Sequence, residues 1–221
     1  FPFSDRIKIQ KSLSFEMEED IPFDTENCIF DAKVIRTQGA SSEILANAIP
    51  KVHIEKLVSL AANFGTELHA VTIEGLAFSN LIEDWELAPP VVPQQEIIID
   101  EADKKKRYVQ VLLDIGHKKT LFTAYEENRL VFVRSLYWGA NQLIQEIIKK
   151  QEITEIEAIR ALQTQGVLLL NKQGASFEQT EISNTLSKSL RELVRDLQMT
   201  LLELKSEFNA EVTELNFTGG A

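Results

Sequence analysis

Between Tyr108 and Tyr137 the sequence holds three apolar runs separated by two polar breaks. Tyr108 to Asp114, Thr120 to Tyr125 and Leu130 to Tyr137 read as strands, and the breaks at 115–119 and 126–129 are short and polar. Breaks this short join antiparallel neighbours, because a parallel return needs a crossover of about a dozen residues or more. The meander is followed at once by WGANQLIQEIIKK, in which Leu143, Ile144, Ile147 and Ile148 form one apolar helical stripe. Its two lysines lie at the end where the helix dipole favours positive charge. Strand, strand, strand, helix is the signature of a layered α/β (mixed α+β) fold.

Further on, Thr154 and Glu157 make a capping box and Gly166 a C-cap, so the spacing predicts a helix over 155–165. The strongest periodicity follows: Leu186, Leu190, Leu193, Leu197, Leu201, Leu204 and Phe208 recur every three or four residues. Val194, Met199 and Leu202 widen that stripe beyond a coiled-coil seam, which favours packing inside its own domain over pairing with a partner helix. VTELNF then reads as a strand running into Thr218, Gly219 and Gly220.

The first third is more mixed. Ser4 as N-cap, with Ile9, Leu13 and Met17 at four-residue spacing, predicts a helix over 4–19, ended by Pro22. CIFDAKVIR alternates as a strand with Cys28, Phe30, Ala32 and Val34 on one face. A Gly-Ala-Ser-Ser loop at 39–42 leads into a helix with Leu57, Val58, Leu60, Ala61 and Phe64 facing one side, stopped by Gly65. A strand near Leu68 to Ile73 and a helix over 75–86 complete this part. APPVVPQQ, holding three of the six prolines, is the expected linker.

Composition narrows the function classes. A formal charge of -11 repels nucleic acid, and the one dense basic cluster, Lys104 to Arg107, reads as a solvated strand edge. No run approaches the roughly 18 to 20 apolar residues that span a bilayer, so a soluble protein is expected. Cys28 has no cysteine to pair with and reads as a small core residue. His53, His69 and His117 fall in no metal-ligand spacing, and no phosphate-loop, nucleophile-elbow or kinase motif is present. The chain starts at Phe1 without Met and stops directly after a strand pattern, so it reads as a fragment of a longer protein.

Two glycine turns remain: Asp114-Ile115-Gly116 after VQVLL, and Thr218-Gly219-Gly220 after ELNF. Glycine admits a close backbone approach to an anion, and an adjacent aspartate can hold a magnesium-bound water. Either turn alone is common hairpin chemistry. Their joint placement, one opening a meander and the other ending the strand after a long helix, resembles the second half of the actin-like ATPase superfamily. Within it the chain resembles the type IV pilus assembly protein PilM and the cytoplasmic part of type II secretion system protein L. The likeness rests on FPFSDRIKIQKSLSFEMEEDIPF, VLLDIGHKKTLF, RSLYWGANQLIQEI, TEIEAIRAL and LRELVRDLQMTLLELK with LNFTGG, in the family's order over nearly the whole chain.

The resemblance implies a partial two-lobe actin-like (RNase H-like) fold. Residues 1–38 would be a small inserted α+β subdomain of the first lobe, 39–88 the end of that lobe, 89–98 the linker and 99–221 a truncated second lobe. It implies a nucleotide site at Asp114, Gly116 and Thr120 for phosphate and Gly219 and Gly220 for adenosine. The family's first phosphate loop would lie upstream of Phe1. His117, Lys118 and Lys119 stand where small residues are usual, so the site is expected to be vestigial or weak and this fragment to hold no cofactor, with Mg-ATP reserved for the full-length protein.

The function so implied is a scaffold at the cytoplasmic face of a bacterial inner membrane, without catalytic residues, linking an assembly ATPase of a type II secretion or type IV pilus machine to inner-membrane proteins. The alternative is a protein that binds and slowly hydrolyses Mg-ATP. In PilM-like proteins a groove beside the inserted subdomain receives a short peptide from an inner-membrane partner; Phe15, Met17, Ile21 and Phe23 fall in the matching region. A homodimer is a further expectation, and binding of nucleic acid or metal is not expected.

Overall fold

The computed structural model describes residues 1–84, 106–166, 168–171 and 173–220. The chain divides into two compact units: Phe1–Glu86 with Arg129–Phe132, and Leu87–Asn128 with Val133–Ala221. The Pro-rich segment 89–98 and two members of the basic cluster, Lys104 and Lys105, lie outside the described residues.

In the first unit, helix α1 (Arg6–Glu16) begins one residue later than Ser4 would place it. Asp5 is the cap: its carboxylate accepts from the Ile7 N–H at 2.9 Å and the Lys8 N–H at 3.1 Å. Ile9 and Leu13 are buried, but Met17 is the C-cap and leaves the stripe. Strand β1 (Cys28–Gln38) pairs antiparallel with β2 (Ser41–Pro50), from Cys28 opposite Pro50 to Gln38 opposite Ser41. β2 was not expected, because its apolar residues do not alternate cleanly. The two-residue turn works because Gly39 adopts φ +60°.

The ladder shifts register between Val34 and Arg36, so Ile35 is an inserted bulge residue. The bulge overturns the expected face: Ile35 is buried, while Val34 is 39% exposed. Helix α2 (Lys51–Asn63) forms as expected, but Leu57, Val58, Leu60 and Phe64 are all exposed. No described residue of α2 is buried, so its apolar stripe is uncovered among the described residues. Residues 66–73 form no strand, since no described strand offers them a ladder. Helix α3 (Glu74–Asp84) buries Ile82 and Ser79, whose hydroxyl accepts from the Lys33 ammonium at 2.8 Å.

The second sheet consists of β3 (Arg107–Ile115), β4 (Thr120–Glu126), β5 (Arg129–Leu136, whose first half is grouped with the first unit) and β6 (Ala210–Thr218), in the order β5-β4-β3-β6. The meander is antiparallel, whereas β6 lies parallel to β3, from Arg107 opposite Ala210 to Asp114 opposite Thr218. Thr120 to Tyr125 are all buried, so β4 is covered on both faces.

Helices α4 (Ala140–Gln151), α5 (Glu155–Gln165) and α6 (Phe177–Phe208) supply the crossover that a parallel strand needs. Thr154 and Ser176 cap α5 and α6 through capping boxes with Glu157 and Gln179. Gly166 ends α5 at an ordinary φ of -70°; a Cβ there would lie 2.0 Å from the Leu162 carbonyl oxygen, so space requires the glycine. Ile144 and Ile147 of α4 pack with Ala158 of α5 and with Ile182 and Leu186 of α6. Leu193 of α6 packs with Leu136 and Trp138, with Leu190 and Leu197 beside it. The leucine stripe is thus spent inside its own unit. Val194, Met199 and Leu202 face out. Among the described residues no helix is long and apolar enough to cross a membrane.

Candidate functional site

Because β3 and β6 are parallel, the turns that leave them emerge at the same edge of the sheet, where ligands of α/β folds collect. Asp114 pairs with Thr218, so the two glycine turns meet. Gly219 has φ +122°, and a Cβ on it would lie 2.2 Å from the Ile115 carbonyl oxygen. Only glycine fits there. Gly220, one residue on, is exposed with nothing within 4 Å of a Cβ.

The first turn is closed by the Gly116 N–H, which donates to the Lys119 carbonyl at 3.0 Å. The Gly116 carbonyl accepts from the Ala140 N–H at 3.1 Å and the His117 carbonyl from the Asn141 N–H at 2.8 Å. The first two amides of α4 are therefore already bonded. Thr120 is fully buried, and its hydroxyl donates to the Trp138 carbonyl at 2.8 Å. The Trp138 indole N–H in turn donates to the Ser189 carbonyl of α6 at 3.1 Å.

Of the five expected nucleotide residues, the structure gathers Asp114, Gly116 and Gly219 at one corner, with Gly220 next in the chain. The hydroxyl of Thr120 is engaged inside the core. Asp114 and Lys119 are half-buried; His117 and Lys118 are exposed. The corner therefore holds Asp114, glycine backbone and the basic residues His117, Lys118 and Lys119. Among the described residues no group of three or more His, Cys, Asp or Glu side chains could hold a metal ion.

A second candidate surface lies wholly in the first unit. A groove of about 390 Å³ is lined by Ile29 and Asp31 of β1, Asn47 to Ile49 of β2, Ile54 of α2, Val71 to Ile73 and Leu76. Its walls are the apolar Ile29, Ile49, Ile54, Val71, Ile73 and Leu76, with Asp31, Asn47 and Thr72 adding polar groups. None of Phe15, Met17, Ile21 and Phe23 lines it. Phe15 and Phe23 are exposed, and Met17 and Ile21 are half-buried. The groove was not read from sequence because most of it depends on β2 and on the unpaired run 71–73.

A meander, a helical crossover, a parallel fourth strand and two glycine turns at one sheet edge define an actin-like fold, present here in part. The chain belongs to the family of type IV pilus assembly protein PilM, whose model matches residues 6–221. No curated protein matches the sequence. Among solved structures, the chain is similar to one of a PilM-PilN type IV pilus biogenesis complex, at 16% identity and TM-score 0.71, over 100% of this chain and 57% of that one. It is also similar to MreB5 of Spiroplasma citri bound to ADP, at 17% identity and TM-score 0.50, over 78% of this chain and 54% of that one. The chain thus spans little more than half the length of either.

Proposed function

We propose that this chain is part of a cytoplasmic actin-like scaffold at the inner-membrane face of a type IV pilus machine, and that it acts by binding proteins. The observation that carries this reading is the apolar groove of the first unit, which has the form that receives a short peptide: aliphatic walls with a few polar groups over one face of the β1-β2 hairpin. The partner is a short cytoplasmic peptide of an inner-membrane assembly protein, as the similarity to a PilM-PilN complex suggests. Phe15 and Phe23 offer a second contact surface on the same unit, and the assembly ATPase is the partner on the cytoplasmic side. A type II secretion machine is the sister assignment under the same logic.

The nucleotide reading has less support, because the Thr120 hydroxyl and the first amides of α4 have protein partners already. Gly116 is likewise bonded at both its N–H and its carbonyl, so Asp114, Gly219 and Gly220 are the groups left to hold Mg-ATP, whose magnesium and phosphates would supply the chemistry of hydrolysis when bound.

The test is fluorescence anisotropy with a labelled N-terminal peptide of the inner-membrane partner. Ile49→Asp, which places a charge on the groove wall, is expected to weaken binding roughly tenfold or more. Phe15→Ala and Phe23→Ala form a separate arm: a loss there with Ile49→Asp unaffected moves the contact to α1 and the loop after it. No binding by the unaltered protein sinks the proposal. For the nucleotide alternative, a rise of several degrees in the melting temperature of the full-length protein with millimolar Mg-ATP is the requirement of linkage.

A further inference from the structure

Gly139 is the N-cap of α4, and its conformation does not call for glycine: φ -157° and ψ -177° is extended backbone that any residue adopts. Nor is glycine the strongest cap, since Ser, Thr, Asp or Asn would bond an orphan N–H of the first turn. The reason for glycine lies in what stands beside it. A Cβ at Gly139 would be 2.5 Å from the Gly116 carbonyl oxygen, 2.6 Å from that of His117 and 2.7 Å from the His117 carbonyl carbon. All three are backbone atoms, which cannot swing aside as a side chain does.

We propose that Gly139 is a positioning residue: its missing side chain lets the Gly116–Lys119 turn dock its carbonyls on the first two amides of α4, so that turn and helix hold one conformation together. The inference does not depend on which ligand, if any, the corner takes. It reverses the usual meaning of glycine near such a turn, because here the close approach serves carbonyl oxygens meeting a helix N-terminus. The partial positive charge of that end is met by the two carbonyls. The Gly139 N–H donates to the Gln142 side chain at 2.9 Å, and the Gln142 amide donates to the Tyr137 carbonyl at 3.0 Å, which anchors the other side of the junction. By contrast, α5 is capped by its own Thr154 side chain, and its first two amides, Glu155 and Ile156, have no bonded partner among the described residues.

Amide hydrogen exchange resolved by NMR tests the proposal on the unaltered protein. The Ala140 and Asn141 amides are expected to exchange at least about tenfold more slowly than those of Glu155 and Ile156. Equal rates would overturn the proposal. In Gly139→Ala the protection of Ala140 and Asn141 is expected to disappear while that of Ala158 and Ile182 in the helical core persists. Gly220→Ala, which meets nothing, should change neither. A Gly139→Ser protein that melts above the unaltered one would show that the position is merely an unoptimised cap and would also overturn the proposal. Should neither variant fold, the exchange comparison on the unaltered chain still decides.

Discussion

Thr120 separates a ligand-binding turn from an architectural one. Replacing it by valine keeps the shape and removes one hydroxyl that the structure aims at the Trp138 carbonyl, 2.8 Å away in a site with no solvent exposure. Leaving a buried carbonyl without its donor costs about 1–3 kcal/mol, and the added methyl recovers little because the position is already packed. For a chain of 221 residues, about 2 kcal/mol lowers the melting temperature by roughly 4–8 °C. Thr120→Ser keeps the hydroxyl and should fall well short of that loss. The assay is chemical denaturation followed by tryptophan fluorescence in a Trp85→Phe background, which leaves Trp138, buried beside this bond, as the reporter. The reasoning is refuted if Thr120→Val is as stable as the unaltered protein and instead abolishes a stabilisation by Mg-ATP, for then the hydroxyl faces a ligand.

Two further outcomes follow from the geometry. Gly219→Ala forces a Cβ to within 2.2 Å of the Ile115 carbonyl oxygen at φ +122°, and should destabilise the second unit by about 2–3 kcal/mol; Gly220→Ala should stay within about 0.5 kcal/mol of the parent, both read by urea denaturation. The Glu157 carboxylate is held below its ordinary value of 4.5, first by the Thr154 backbone N–H, then by the Thr154 hydroxyl, with the charge of Arg160 assisting. A depressed value in the folded state means that its contribution is complete above about pH 4.5 and is lost as pH falls through the folded value. An NMR titration should show Glu157 moving back toward its ordinary value in Thr154→Ala.

The meander was legible because each of its runs carries its own turn: the strand expected at Tyr108 to Asp114 spans Arg107–Ile115, and that expected at Thr120 to Tyr125 spans Thr120–Glu126. Helix α5 was legible from its cap and α6 from its leucines, since both signals are local. β2 was not, because SSEILANAIP carries no clean alternation, even though its partner β1 is only a two-residue turn away. Ile35 shows the limit of simple alternation, as one inserted residue exchanges the inner face for the outer. The meeting of the two glycine turns follows from the parallel pairing of β3 with β6, which no local signal in either run announces. The direction of the Thr120 hydroxyl was not legible either, since a threonine opening a strand serves a ligand or the core with the same letter.

The 32 residues of α6 make a rod about 48 Å long at 1.5 Å per residue. Leu193 is gripped beside Trp138, while Ile182 and Leu186 are gripped by α4 and α5, so one stiff element is held at two places along its length. From Leu193 to Ile182 is about 16 Å of helix, so the two grips are well separated along one element. Trp138 is bonded both to Ser189 on this rod and to Thr120 at the end of the Gly116–Lys119 turn. α6 therefore ties the sheet edge, through Trp138 and Leu193, to the α4 and α5 pair, through Ile182 and Leu186, by one rigid element.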